Sequence, residues 1–254
     1  MSATMFSFLA ILAFSQLLAI AWLYHKLSGA VDRLAKQTTA ESDNSFRQIE
    51  ALMSLYAEMR PQHGLPPTRG WAASPDFLAV LVRSVLTRKP MTIVECSSGM
   101  STLVLASAVR NLGSGKVLSF EHDPIYAEHT RNLLRQHDLE GFAEVIHAPL
   151  KNLSLPGWSG QWYDTASIPE NLSIDLLVVD GPPWFSADLA RYPAYPVLQQ
   201  QFASGAAIIL DDASRESEKI IIEKWLTLTQ TLVSAGSFEC EKGCAILEVK
   251  HGSL

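Results

Sequence analysis

Carboxylates recur in this chain where short apolar runs end. Glu95 lies in Thr92–Cys96, Glu121 follows Val117–Phe120, Asp180 follows Ile174–Val179, and Asp211-Asp212 follow Ala206–Leu210. A charged side chain at the end of an apolar run costs free energy unless it has a partner or a task. These acids therefore mark a candidate site. Asp180 is followed by Gly181-Pro182-Pro183-Trp184, and the two prolines stiffen the exit loop. Asp180, Asp211 and Asp212 together offer the oxygen ligands a hard cation prefers. The competing reading is an ion pair with Arg215, three residues beyond Asp212. Arg191 either grips an anionic acceptor group or closes a salt bridge.

The stretch Glu95-Cys96-Ser97-Ser98-Gly99-Met100-Ser101-Thr102 supplies a second kind of chemistry. Small residues such as Ser97, Gly99 and Ser101 let a backbone turn tightly against a ligand. It is not a dinucleotide fingerprint, because GxGxxG in register would need glycine at Ser97, Gly99 and Thr102. Taken alone, it reads equally as an ordinary strand-to-helix turn. Glu121 is placed to accept hydrogen bonds from a ribose diol. His122 beside it is either a further ligand contact or a plain loop side chain. Asp123 reads as a helix N-cap with Pro124 at the first helical position.

The elements that must position these residues alternate. Ser74, Pro75 and Asp76 open a helix whose apolar face is Phe77, Leu78, Leu81, Val82 and Val85. Strands are predicted at Thr92–Cys96, Lys116–Phe120, Ala143–His147, Ile174–Val179 and Ala206–Leu210. Helices are predicted at Ser101–Leu112, Ile125–Gln136 and Glu216–Thr229. Ser237–Cys240 and Ala245–Val249 read as a closing antiparallel hairpin. The expected fold is α/β: a doubly wound, mostly parallel seven-stranded Rossmann-like sheet. Ligands of such sheets bind at the carboxyl ends of the strands, where strand order reverses.

The motifs have a family likeness. Ser119-Phe120-Glu121-His122-Asp123-Pro124, Ala148-Pro149-Leu150, Trp162-Tyr163-Asp164, Val179-Asp180-Gly181-Pro182-Pro183 and Leu210-Asp211-Asp212-Ala213, with Arg215 and Trp225, together resemble one group of class I methyltransferases. These are Rossmann-like enzymes that use S-adenosylmethionine. The resemblance spans roughly Trp71 to Val249. It implies that Glu95, Ser97, Gly99 and Ser101 hold the methionine part of the cofactor. Glu121, with His122, would hold the ribose, Ala148 would flank the adenine, and Asp180 would lie near the transferred methyl. In strand position Asp180, Asp211 and Asp212 also resemble the metal-binding acids of catechol-type O-methyltransferases. That implies Mg2+ or another divalent cation, although the third acid there is usually Asn. Many members also carry glycine where this chain has Ser97, and often at Ser101.

The N-terminal part is different. Met5–Tyr24 is a run of twenty residues without a charge, about one hydrocarbon thickness as a helix. It lacks the basic start of a cleaved signal peptide, so a retained anchor is expected. Lys26, Arg33 and Lys36 follow the span and none precedes it, which predicts a single-pass membrane protein with the catalytic bulk in the cytoplasm. Residues 1–26 form the anchor, 27–70 a helical stem and linker, and 71–254 the cofactor-binding domain. In the stem, Leu27, Val31 and Leu34 share one face and Phe46, Ile49, Leu52, Met53 and Tyr56 another. Polar Gln37–Asn44 between them is expected to break the helix or leave it exposed.

Composition excludes some classes. The chain has 254 residues, is 48% hydrophobic and carries a net charge of −6, with no basic track for nucleic acid. Its three cysteines, Cys96, Cys240 and Cys244, form neither a disulfide framework nor a zinc spacing. The expected activity is S-adenosylmethionine-dependent O-methylation of a small-molecule, glycan or lipid-linked acceptor. Arg191, Arg215 and Trp184 are the acceptor contacts, and Trp158 and Trp162 are further candidates for stacking on a sugar. A catalytically inactive, membrane-tethered binding module is the alternative. An NAD-dependent oxidoreductase is disfavoured by the missing glycines.

Overall fold

The structure, a computed structural model, describes residues 3–61, 63–68, 70 and 72–250. Trp71, the expected first residue of the domain, and Met1 and Ser2 of the N-terminal tail lie outside them. The chain divides into two units, Met1–Arg47 and Gln48–Leu254.

The first unit is helical. Its described residues lie within α1 (Ala3–Met59), which runs through Gln37–Asn44 without a break. The helix contains a segment long and apolar enough to cross a membrane by length and composition, and none of that segment is buried.

In the second unit, α2 (Pro75–Arg88), β1 (Thr92–Cys96), α3 (Met100–Leu112), β2 (Lys116–Glu121), α4 (Pro124–Gln136) and β3 (Ala143–His147) follow in turn. Then come β4 (Leu150–Leu155), β5 (Trp158–Tyr163), β6 (Ile174–Val179), α5 (Ala194–Leu198), β7 (Phe202–Asp211), α6 (Glu216–Leu228), β8 (Leu232–Phe238) and β9 (Cys244–Val249). Seven strands form one sheet in the order β3-β2-β1-β6-β7-β9-β8. β1 pairs in parallel with β2 and β6, and β9 runs antiparallel between β7 and β8. Strand order therefore reverses between β1 and β6.

Both faces of the sheet are covered, which is why its central strands are almost wholly apolar. Alternation assigns each residue to a face. Ile93, Leu176, Val178, Ala207 and Ile209 pack with α2, α3, α4 and the end of α1. Val94, Leu177, Val179, Ile208 and Leu210 pack with Trp162, Tyr163, Tyr195, Ile221 and Trp225 on the other side.

Two expectations are corrected and one is completed. In the stem, the face of Phe46, Ile49, Met53 and Tyr56 is exposed, while Leu55 and Met59 are buried and Gln48 bonds to Asp76 at 2.6 Å. Periodicity alone cannot tell which stripe of a doubly amphipathic helix meets the core. A hairpin, β4–β5, forms a separate two-stranded sheet that the strand count had omitted. Its signal was present in Pro156-Gly157 between two alternating runs. The last hairpin begins earlier than predicted, at Leu232, because β8 is an edge strand whose Ser234–Ser237 stretch is exposed and little patterned.

Candidate functional site

The carboxyl ends of β1, β2, β6 and β7 meet around the reversal point. Asp180 donates its N–H to the Cys96 carbonyl at 3.1 Å, and Ser97 donates to the Phe120 carbonyl at 3.0 Å. These bonds extend the parallel ladder one residue past the strands and hold the loops side by side.

The loop after β1 is held open by its backbone. Gly99 has φ 143°, a conformation open to glycine. Ser97 has φ 124°, which a residue with a Cβ rarely adopts, at a cost of about 1–3 kcal/mol. Ser97 thus holds a glycine-like backbone despite its Cβ. Strain of this kind persists only where the surroundings over-determine it, and it concentrates at ligand sites.

Glu95 is fully buried behind the loop. Its Oε2 accepts from the Thr102 hydroxyl at 2.6 Å and the Ser119 hydroxyl at 2.5 Å, while Oε1 has no hydrogen-bond partner among the described residues. Burial pushes its carboxyl up to about 7, against the hydroxyls of Ser101, Ser119 and Thr102. Thr102 also accepts the Gly99 N–H at 3.0 Å, so one hydroxyl links the acid to the turn. Ser101 is buried at the start of α3.

Glu121 ends β2 and is nearly buried. Its Oε1 accepts from the Asp123 N–H at 3.0 Å and lies 2.9 Å from His122 Nδ1, and its Oε2 accepts from the Ser98 hydroxyl at 3.0 Å. Burial alone would raise this carboxyl, but the His122 ring, the Asp123 N–H and the Ser98 hydroxyl outweigh it and hold it below the usual range. His122 is therefore a partner of Glu121 and stays partly exposed. Ala148 follows β3, is buried, and donates its N–H to the Glu121 carbonyl at 2.7 Å. Asp123 caps α4 through the N–H groups of Ile125 and Tyr126, as its position predicted.

Across the reversal point stand Asp180, Asp211 and Asp212, with one oxygen from each within 4.8 Å of the others. Asp212 sits in the left-handed region at φ 59°, which Asp tolerates. Its loop is clamped by the β8–β9 turn, because Ala213 and Ser214 donate to the Gly243 and Lys242 carbonyls. Arg215 Nη1 lies 3.0 Å from Asp212 Oδ2, so the ion pair that competed with the cation reading is formed. Arg191 is buried and faces inward: its guanidinium bonds to Asp180 and Asp212. Burial pushes the Asp180 carboxyl up to about 6 and the Asp211 carboxyl up to about 8, and neighbouring carboxylates add to both shifts.

Of the tryptophans, Trp158 and Trp162 are core residues, with Trp158 Nε1 donating to the Asp188 carbonyl. Trp184 is 66% exposed and packs edge-on against Phe185 with ring centres 5.9 Å apart. Both line a cavity of about 480 Å³ that Arg191, Ser217 and Glu218 also border. Sequence reasoning missed Ser98, Thr102, Ser119, Tyr163 and Glu218. Ser98 and Thr102 stood in the loop already singled out, and Tyr163 beside Trp162. Ser119 and Glu218 meet the site through contacts between elements far apart in the chain.

Residues 94–213 match a family model described as a methyltransferase domain. That segment contains every strand end described above. Solved structures share the fold. An O-methyltransferase from Bacillus cereus in complex with SAH is 19% identical, with 80% of this chain and 90% of that one covered and a TM-score of 0.53. The O-methyltransferase TomG from Streptomyces achromogenes, in complex with SAM and involved in tomaymycin synthesis, is 16% identical over 83% and 96%, with a TM-score of 0.57. The SAH-bound methyltransferase PaMTH1 from Podospora anserina is 14% identical over 84% and 96%, with a TM-score of 0.58. No curated protein sequence gives a significant match.

Proposed function

We propose that the chain is an S-adenosylmethionine-dependent O-methyltransferase whose acceptor is a small molecule, glycan or lipid-linked compound at a membrane. One observation carries the reading. Glu95, Glu121, Ala148 and Asp180 converge on the strand-order reversal of a methyltransferase-type sheet, and the buried Glu95 keeps one oxygen without a partner. The residues fit the cofactor. Glu95 and the backbone of Ser97–Ser101 would hold its cationic amino-acid part, Glu121 its ribose, and Ala148 its adenine. When bound, it supplies an activated methyl on a sulfonium, which is a good leaving group.

The chain supplies alignment and a place for a proton. With the cofactor held by Glu95, Glu121 and Ala148, an acceptor oxygen would be aligned with its methyl group, and the sulfonium sulfur would keep the bonding electron pair as it leaves. The hydroxyl proton passes to a carboxylate of the Asp180–Asp211–Asp212 cluster. The raised carboxyls of Asp180 and Asp211 suit that task, because a general base works best near the ambient pH. Trp184 and Phe185, exposed beside the cluster, offer an apolar face to an acceptor. The apolar part of α1 would keep the enzyme at a membrane where such acceptors reside.

The test is calorimetric titration of the full-length chain in detergent with S-adenosylhomocysteine, followed by mass analysis of an acceptor pool incubated with S-adenosylmethionine. Binding and a mass gain of one methyl group are expected. A second reading, a binding module without transfer, draws on the strained backbone at Ser97. It predicts no binding of either ligand and no methylated product, an outcome that would overturn the methyltransferase reading.

A further inference from the structure

Three buried or nearly buried carboxylates within 4.8 Å of one another need a positive charge among them. In catechol-type O-methyltransferases a divalent cation provides it. Here the chain places its own cation there. Arg191 Nη2 donates to Asp180 Oδ1 at 3.0 Å, to Asp212 Oδ2 at 2.8 Å and to the Asp180 carbonyl at 3.0 Å. Nη1 donates to the Asp211 carbonyl at 2.9 Å and lies 3.9 Å from Glu218 Oε1. Arg215 adds a second guanidinium to Asp212 Oδ2 at 3.0 Å.

The donor set alone would suit a hard cation. Asp211 Oδ1 and Asp212 Oδ1 are buried and have no partner among the described residues. A divalent ion drawn to them would sit beside a guanidinium already bonded to both Asp180 and Asp212. Arg191 is 5% exposed and held at both Nη atoms, so moving it aside for a metal would break those bonds and leave buried carboxylates unpaired. Like charge at that range, away from bulk water, opposes metal entry.

We propose that Arg191 is the resident cation of this site and that the protein works without a divalent metal. The two unpartnered oxygens then serve the acceptor's hydroxyl. A metal would chelate two neighbouring acceptor oxygens, but a carboxylate oxygen asks for a single O–H donor. The site therefore does not require a vicinal diol, and a single acceptor hydroxyl suffices. Arg191 acts through the carboxylates it holds, as a positioning residue. This inference rests on the methyltransferase reading for its chemistry, but its test does not.

Manganese(II) is the probe. The full-length protein in detergent is titrated with Mn2+ and the free ion is followed by electron paramagnetic resonance. The wild type should bind none at the cluster, so that its curve matches that of Asp211→Asn. Arg191→Gln keeps a polar side chain but removes the charge, and should gain Mn2+ affinity by tenfold or more. Stoichiometric Mn2+ binding by the wild type, lost in Asp211→Asn, would overturn the proposal. A folded Arg191→Gln protein that gains no affinity counts against it equally, and if that variant does not fold, the wild-type titration decides. S-adenosylhomocysteine titrations with and without EDTA run alongside. Their absence of binding would sink the methyltransferase reading and leave the manganese result standing.

Discussion

The Ser98 hydroxyl donates to Oε2 of Glu121 at 3.0 Å, and lies 3.0 Å from the Thr130 hydroxyl as well. One small side chain thus ties the loop after β1 to the acid that ends β2 and to the body of α4. Two loops that a nucleoside would touch from different sides are held in one register.

Ser98→Ala should therefore loosen the ribose acid without unfolding the sheet. A hydrogen bond to a charged group contributes about 1.5–3 kcal/mol, and a remaining water can replace part of it. Affinity for S-adenosylhomocysteine should fall roughly fivefold to tenfold, with the melting temperature little changed. Calorimetry and a thermal melt on the same sample check both halves. Unchanged affinity would show that Glu121 does not depend on Ser98 for its position.

Ser97→Gly should stabilise the protein. The native backbone at φ 124° suits glycine, and relief of strain outweighs the entropy glycine adds to the unfolded chain. The gain should be about 1 kcal/mol in chemical denaturation. A loss would mean that the Ser97 side chain has a task that its conformation does not reveal.

Glu95 should govern part of the pH dependence. Its carboxyl is raised from 4.5 to about 7 in the folded state, mainly by burial. The folded state therefore binds the proton more tightly than the unfolded chain. This contribution to stability is complete below pH 4.5 and is lost as pH rises through about 7. Glu95→Gln should match the wild type near pH 4.5 and be more stable above pH 7, by on the order of 2 kcal/mol. Cofactor binding should run the other way. A cationic ligand needs the carboxylate, so wild-type affinity should rise with pH through the same range and that of Glu95→Gln should stay flat. Melts and titrations from pH 5 to about 8 test the two slopes.

Gly181 and Tyr163 should be coupled. A Cβ at Gly181 would stand 2.5 Å from the Tyr163 hydroxyl and 3.1 Å from the Cys96 carbonyl. That hydroxyl is buried and has no hydrogen-bond partner among the described residues. Gly181→Ala should cost about 1–3 kcal/mol, as overpacking does. Tyr163→Phe removes an unsatisfied group and should be neutral or stabilising. In the double variant part of the Gly181→Ala cost should disappear. Strict additivity in this cycle would place the clash with the Cys96 carbonyl and the Ser97 Cβ, both 3.1 Å away, rather than with Tyr163.

Much of the fold could be read from residue order. The near-continuous apolar runs of β1, β6 and β7 reflect burial on both faces, and the Asp123-Pro124 cap is a local signal confined to adjacent residues. The sequence by itself therefore determined the alternating α/β pattern, the central strands and the acids at their ends. Glu95, Glu121, Asp180, Asp211 and Asp212 stand where a ligand-binding α/β sheet carries its acids, because a carboxylate ending an apolar run is conspicuous in one dimension. Tertiary structure decided which group each acid faces. Asp212 had Arg215 three residues away, yet its shortest ion pair is to Arg191, twenty-one residues earlier, at 2.8 Å. Likewise, the choice between Leu55 and Met53 as the buried stripe of α1 depends on what packs against it. Partnership of charges and burial of a face are properties of distances through space. Residue types at fixed spacing limit them, and only the packed sheet sets them.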